Sequence, residues 1–370
     1  MVHRESHLPL THPVALGSRR TVDAVVVPAG RSAAHVKDAA QLAGELGCVL
    51  LAMCSRGGAD PADFAEVRAR LPAPPTRWYQ LTVPDDYRHP LLPASSTPDA
   101  APGDSRHRLL STMRNLALVV ARMVGWRTVL LLDDDIRGLD RDVVERAAGE
   151  LERDSAVAFP VTSYPDHSVV CHANLLTGRR QRVFVSGSAL LVDVGAPFSF
   201  FPNIYNDDWF HLYDDVSQDL VGRVSQAGLR QLHYDPYLLP WRPATEELGE
   251  VLAEGLMGAL HEWPPRFAPD GTAYWADVLA AREDFLAGIT ARLHRLEPGP
   301  QQQRALLALQ VAEARRRRIT PVQCAEYVGR WRADVQRWRR AIAALDREPG
   351  VDAAADRLDL RGTLVGSSRR

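Results

Sequence analysis

Three consecutive aspartates follow a short apolar run near the middle of the sequence. Residues 130–132 are all leucine, and Asp133, Asp134 and Asp135 come directly after them. Neighbouring carboxylates raise one another's pKa, so a protein normally groups them only where a cation neutralises them. A hard divalent cation, Mn²⁺ or Mg²⁺, takes carboxylate oxygens and keeps positions open for phosphate oxygens. The run therefore predicts a site for a metal and a diphosphate, and the alternative is an acidic cap for a helix that begins near Asp140.

A second pair of carboxylates, Asp207 and Asp208, stands between Asn206 and Trp209. A carboxylate on a turn into a helix can accept a proton from a bound hydroxyl as a general base, while its neighbour caps the helix. The pair therefore predicts either a catalytic base or a helix cap alone. Arg114 lies in the apolar stretch before the first cluster, where it is either an ion-pair partner of the aspartates or a phosphate clamp.

Strand and helix patterns alternate through the part of the chain that carries these residues. Strand patterns cover residues 21–28, 47–55, 76–83, 127–132, 157–162 and 182–192, and helical patterns cover 32–46, 108–124 and 141–153. This alternation predicts an α/β fold with a mainly parallel, Rossmann-like sheet covered by helices. Ligands of such sheets lie beyond the carboxyl ends of the strands, so the chemistry is expected after Val27, Ser55 and Leu132.

Four segments are expected along the chain. They are a flexible N-terminus at 1–20, a domain with the metal and diphosphate site at 21–243, a C-terminal α-helical region at 244–348 and a flexible tail at 349–370. The proline-rich segment 84–105 inside the first domain is predicted to be a loop, because its composition suits neither a helix nor a strand.

The last long helix, predicted from residue 320 onward, carries an apolar stripe. The stripe consists of Tyr327, Trp331, Val335, Trp338, Ile342 and Leu345 at helical spacing. We expect it to pack as core against residues 279–296. The alternatives are a contact between two copies of the chain in a homodimer, or a wall of an acceptor pocket.

Composition narrows the class of protein. The chain has 370 residues, of which 24% are charged and 46% hydrophobic, and a formal net charge of −2; it is neither a disordered polyelectrolyte nor, by charge, a nucleic-acid-binding protein. Its apolar runs are shorter than the roughly 18 residues of a membrane span, and its start lacks the apolar core of a signal peptide. We therefore expect a cytoplasmic protein with no transmembrane segment and no nucleic-acid partner. The cysteines show no C-x-x-C spacing, so no zinc site is expected.

Taken together, these motifs resemble the nucleotide-sugar glycosyltransferases of the GT-A fold, in particular family 2-like enzymes. The resemblance covers about residues 21–245 and rests on VVVPAGR at 25–31, MRN at 113–115, LLLDDDI at 130–136 as the D-x-D motif, SGSALLV at 186–192 and NDDW at 206–209. It implies a metal-dependent enzyme that moves a sugar from a nucleoside diphosphate sugar, UDP or GDP, to the hydroxyl of an unknown acceptor.

The resemblance also implies roles for single residues. The D-x-D pair would be Asp133 and Asp135, with Asp135 as metal ligand and Asp133 or Asp134 near the ribose. The nucleotide would be flanked by Pro28, Arg31 and Ser55, and its ribose or diphosphate contacted by Arg114. The donor sugar would contact Gly187, and the acidic pair would be Asp207 and Asp208. With Asp208 as the base, the displacement would invert the anomeric carbon.

Several alternatives remain open on the sequence. His233 stands where some retaining GT-A enzymes present a further metal ligand, so a retaining enzyme is the first alternative. The second strand ends in CSRG at 54–57, where family 2 enzymes usually carry an acidic residue for the base, which leaves the identity of the nucleotide open. A sugar-nucleotide pyrophosphorylase and a non-catalytic protein that binds sugar nucleotides are further alternatives. The absence of a Q-x-x-R-W motif disfavours a processive polysaccharide synthase.

Overall fold

The computed structural model of the chain describes residues 7–55, 60–93, 104–161, 168–179, 185–225, 228–262, 265–266 and 269–368. The strands are β1 (His12–Pro13), β2 (Ala24–Ala29), β3 (Val49–Ser55), β4 (Arg77–Val83), β5 (Thr128–Leu132), β6 (Ile136–Arg137), β7 (Ala156–Ala158), β8 (Ala189–Asp193), β9 (Val221–Arg223), β10 (Arg230–Gln231) and β11 (Leu364–Ser368). The α-helices are α1 (Lys37–Leu46), α2 (Pro61–Ala69), α3 (Asp104–Val124), α4 (Arg141–Gly149), α5 (Val169–Leu176), α6 (Asp207–Ser217), α7 (Arg242–Leu260), α8 (Thr272–Leu293), α9 (Pro300–Arg316), α10 (Pro321–Ala343) and α11 (Val351–Arg357).

Nine of these strands form one mixed sheet in the order β1-β9-β7-β8-β5-β2-β3-β4-β11. The central strands β5, β2, β3 and β4 are parallel to one another, whereas β8 runs antiparallel to both β5 and β7. The strands β2 and β5 are apolar and buried along their whole length, as strands covered by helices on both faces are. The predicted α/β architecture with a mainly parallel sheet and C-terminal helices is confirmed.

The C-terminal helices share their core with the sheet. Trp331 and Trp338 of α10 are fully buried, and their rings lie 5.2 Å from the ring of Phe210 and 6.1 Å from that of Phe198. The apolar stripe is therefore core, as expected. Its neighbours include α6 and the segment before it as well as α8, so the predicted boundary near residue 243 does not separate two hydrophobic cores.

The described residues 7–20 and 349–368 belong to the fold, unlike the flexible segments expected at 1–20 and 349–370, while 1–6 and 369–370 lie outside the described part of the chain. The strand β1 pairs with β9 at one edge of the sheet, and β11 pairs with β4 at the other. Apolar side chains of α11 lie in the main core. A two-residue strand and a five-residue polar edge strand carry too little hydrophobic alternation to be recognised in a sequence.

Two predicted elements extend beyond the described residues. Residues 84–93 contain neither helix nor strand, as predicted, while 94–103 lie outside the described part of the chain and 104–105 already belong to α3. In the strand predicted at 182–192, residues 182–184 likewise lie outside it, and β8 begins at Ala189. No helix in the described ranges is both long and apolar enough to cross a membrane.

Candidate active site

A cavity of about 610 Å³ opens at the carboxyl ends of the central parallel strands. Of the eleven residues that the sequence predicts for the site, nine line this cavity: Pro28, Arg31, Ser55, Arg114, Asp133, Asp134, Asp135, Asp207 and Asp208. These nine residues come from five parts of the chain that are distant in sequence: the ends of β2, β3 and β5, the start of α6, and α3. The fold thus brings the two acidic clusters into one space.

The three aspartates after β5 are not needed as a helix cap. Asp140 itself caps α4, because its carboxylate accepts hydrogen bonds from the backbone N–H groups of Asp142 and Val143. The cap alternative for the aspartate run is therefore wrong. Asp134 and Asp135 are almost fully buried, and Asp133 is the most exposed of the three side chains.

Arg31 pairs with two of these carboxylates from the loop that follows β2. Its backbone N–H donates to Asp134 Oδ2 at 3.1 Å, and its Nη1 donates to the other oxygen of the same carboxylate. Its Nη2 donates to Asp135 Oδ2 at 3.0 Å. The guanidinium therefore neutralises Asp134 and Asp135 together, and the loop after β2 is held against the end of β5.

Arg114 joins the two acidic clusters. This buried side chain donates from Nη2 to both carboxylate oxygens of Asp133, each at 3.0 Å, and from Nη1 to Asp207 Oδ1 at 3.0 Å. Burial raises the pKa of Asp133 to about 6, although the charge of Arg114 opposes the shift. Of the two roles considered for Arg114, the ion-pair partner is the one that the structure shows.

Asp207 and Asp208 are adjacent but differ in their surroundings. Both oxygens of Asp207 are engaged by side chains, since Oδ1 accepts from Arg114 and Oδ2 accepts from the Ser111 hydroxyl at 2.8 Å. The oxygens of Asp208 accept backbone N–H groups, Oδ2 from Gly187 at 2.8 Å and Oδ1 from Trp209 at 2.9 Å. Asp208 is thus oriented by the main chain, and its outer lone pairs are the ones suited to a ligand hydroxyl.

The electrostatic environment makes Asp208 a weaker acid than a surface aspartate. Burial, followed by the neighbouring charge of Asp207, raises the pKa of Asp208 to about 6. A carboxylate with this pKa is ionised at neutral pH and holds a proton more strongly than an ordinary aspartate does, as a general base requires.

Two residues predicted for the site lie outside the cavity wall. Gly187 packs closely against Arg114 and Asp208, and a Cβ at position 187 would lie 3.2 Å from the Cβ of Asp208. This close approach helps to position the Asp208 carboxylate. His233 is exposed and does not line the cavity. Gln231, two positions earlier in the chain, does line the cavity, and it donates from Nε2 to Asp135 Oδ2 at 3.4 Å. The structure therefore does not support His233 as a metal ligand.

The acidic residues of the cavity are of the type that could hold a divalent cation. Asp133 and Asp135 supply the oxygen donors that Mg²⁺ and Mn²⁺ prefer, and the described lining of the cavity contains eight carboxylates and three guanidinium groups. Within the described ranges, no three His, Cys, Asp or Glu side chains converge as a ligand set. Two carboxylates suffice where waters and phosphate oxygens complete the coordination.

One wall of the cavity was not foreseen. Glu250 and Glu254 of α7 line it, and the loop with Tyr205 and Asn206 packs against the same helix at Gly249, where a Cβ would clash with the Tyr205 carbonyl. Behind this wall the fully buried Arg282 of α8 pairs with glutamates of α7. The sequence offers one signal for this wall, the helical spacing of the glutamates of α7. In a sequence, that spacing usually indicates a helix face exposed to solvent.

Comparisons with known proteins add little to this picture. No protein-family model matches the chain, and no curated protein matches it significantly. Among solved structures, the apo form of mouse xyloside xylosyltransferase 1 is similar to this chain with a TM-score of 0.27 and 10% sequence identity, over 47% of this chain and 67% of that one. A similarity this weak carries no argument about activity.

Proposed function

We propose that the chain is a glycosyltransferase that moves a sugar from a UDP or GDP sugar to an acceptor hydroxyl with the help of Mn²⁺ or Mg²⁺. One observation carries the proposal. The aspartate run at the end of β5 and the oriented carboxylate of Asp208 face the same cavity, so a diphosphate site and a general base are within reach of one bound donor. The resemblance to family 2-like GT-A enzymes agrees with this arrangement.

The donor would lie along the ends of the parallel strands. Pro28 and Ser55, at the ends of β2 and β3, would border the nucleotide, and Asp133 and Asp135 would hold the cation. When bound, the cation offsets the negative charge that develops on the departing diphosphate. Arg31 supplies guanidinium N–H groups that suit phosphate oxygens.

The transfer itself requires one proton acceptor. Asp208 takes the proton of the acceptor hydroxyl while that oxygen forms a bond to the anomeric carbon, and the bond from this carbon to the diphosphate oxygen breaks with its electron pair. Asp207 positions the base, because both of its oxygens are bound by Arg114 and Ser111. An attack from the face opposite the leaving group inverts the anomeric carbon. The retaining alternative depends on His233, which is exposed outside the cavity.

A thermal-shift screen of UDP-, GDP-, dTDP- and CMP-sugars with and without Mn²⁺ tests the proposal, since a ligand of the folded state raises its stability by mass action. We expect a UDP or GDP sugar to raise the melting temperature only with the metal, and Asp135→Asn to abolish that shift. Calorimetric donor affinity that is unchanged in Asp135→Asn would refute the metal assignment. An enzyme should hydrolyse the donor slowly in the absence of acceptor, whereas a protein that only binds the donor should not.

The pH dependence of catalysis follows from the pKa of Asp208. Because the base must be ionised and burial raises this pKa to about 6, kcat/KM should rise about tenfold per pH unit below that value and level off above it. The measurement is a pH profile of initial rates at subsaturating acceptor. An acidic limb with the same midpoint in the residual activity of Asp208→Asn would assign the limb to another group.

A further inference from the structure

Arg31 is paired with Asp135, one of the two carboxylates that would hold the proposed cation. Its guanidinium bridges Asp134 and Asp135, whose side chains are 5% and 8% exposed, while its own side chain is 35% exposed and lines the cavity. Arg31 and the two carboxylates line the same cavity, and the arginine neutralises both of them. Asp134 is tied to Arg31 through both its oxygens.

We propose, on the basis of the function inferred above, that Arg31 is a displaceable counter-ion that gives up Asp135 to the divalent cation when the donor diphosphate arrives. A guanidinium binds phosphate oxygens through the same N–H groups that it offers to carboxylates. A diphosphate oxygen would accept from Nη2 of Arg31 in place of Asp135, and Asp135 would then help to hold the cation. The backbone hydrogen bond from Arg31 to Asp134 keeps the loop in place during the exchange.

This exchange couples the two ligands. The cation alone competes with a resident positive charge, so it binds weakly, and the diphosphate strengthens its binding by removing that charge. By reciprocity the cation strengthens diphosphate binding by the same factor. Removing the guanidinium uncouples the two ligands, and the cation then binds well without a nucleotide.

A Mn²⁺ titration followed by the EPR signal of the free ion tests the inference on the full chain. It is run on the wild type, Arg31→Gln and Arg230→Gln, each without nucleotide and with UDP or GDP, whichever gives the larger thermal shift. Arg230 is an exposed arginine next to Gln231, so its variant removes the same charge near the site without touching the three aspartates. We expect Arg31→Gln to bind Mn²⁺ alone about tenfold tighter than the wild type, a factor typical of linked sites, and Arg230→Gln to match the wild type.

The outcomes separate the inference from the function on which it rests. If Arg31→Gln binds Mn²⁺ alone no more tightly than Arg230→Gln, while the wild type still binds its donor with Mn²⁺, the counter-ion role is refuted and the proposed function stands. If the wild type binds neither Mn²⁺ nor any sugar nucleotide, both fall. Should Arg31→Gln melt early because Asp134 loses its partner, Arg31→Gln combined with Asp134→Asn removes that uncompensated charge and must show the same gain in Mn²⁺ affinity relative to Asp134→Asn alone, which lacks the same carboxylate charge.

Discussion

Asp208→Asn lowers turnover by about 10²- to 10⁴-fold, the range that a positioned general base contributes, and leaves donor binding intact. The amide keeps the shape of the carboxylate but cannot accept the proton of the acceptor hydroxyl. The amide oxygen can accept from one of the two backbone N–H groups that donate to Asp208, those of Gly187 and Trp209, whereas the amide nitrogen cannot accept from the other. The measurement is kcat with saturating donor, together with calorimetric donor affinity.

Asp219→Asn is the matched control for this experiment. Asp219 follows the same helix, is largely exposed and has a φ of 56°, a conformation that asparagine adopts readily. It should keep wild-type turnover. An NMR spectrum of the product supplies an independent check, because retention of the donor's anomeric configuration would contradict a direct displacement with Asp208 as base.

The positions of the acidic clusters could be predicted because they depend on short-range patterns. A buried leucine strand followed by aspartates must place them at the carboxyl edge of a parallel sheet, and the alternation of strands and helices places the ends of β2, β3 and β5 at that same edge. The apolar stripe of α10 was predictable for a similar reason, since only its periodicity was needed to identify it as core.

The pairing of charges could not be predicted, because it depends on which loops meet. Arg31 and Asp134 are 103 positions apart, and Gln231 lies 96 positions from Asp135 in the opposite direction, so no local pattern connects them. Neighbouring carboxylates in a sequence predict a bound metal, and in the structure two arginines, Arg31 and Arg114, neutralise them. His233 was predicted as a metal ligand from the resemblance to retaining GT-A enzymes, whereas in the structure Gln231 of β10 donates to Asp135.

Arg282→Met should destabilise the folded state by about 3–5 kcal/mol, the cost of leaving buried partners of an ion pair uncompensated. Arg282 is fully buried and donates to Glu247 at 2.7 and 2.8 Å, to Glu250 at 3.1 Å and to Glu254 at 3.4 Å. A typical free energy of unfolding is about 5–15 kcal/mol, so this loss should lower the midpoint of urea unfolding severely. Arg304→Met is the control, because its pair with Asp235 is exposed and such pairs contribute at most about 1 kcal/mol.

The pH dependence of this loss distinguishes a charge effect from a simple packing defect. Burial already raises the pKa of Glu247 in the wild type, and removing Arg282 takes away the attraction that opposes the shift. A carboxyl whose folded-state pKa is raised binds more protons when folded, so its contribution to the free energy of unfolding falls as pH rises. The deficit of Arg282→Met should therefore be largest above neutral pH and shrink as the pH is lowered toward the ordinary range of glutamate. A deficit that is equal above neutral pH and at the lower pH would show that the lost volume, and not the loss of the ion pairs with the glutamates of α7, causes the destabilisation.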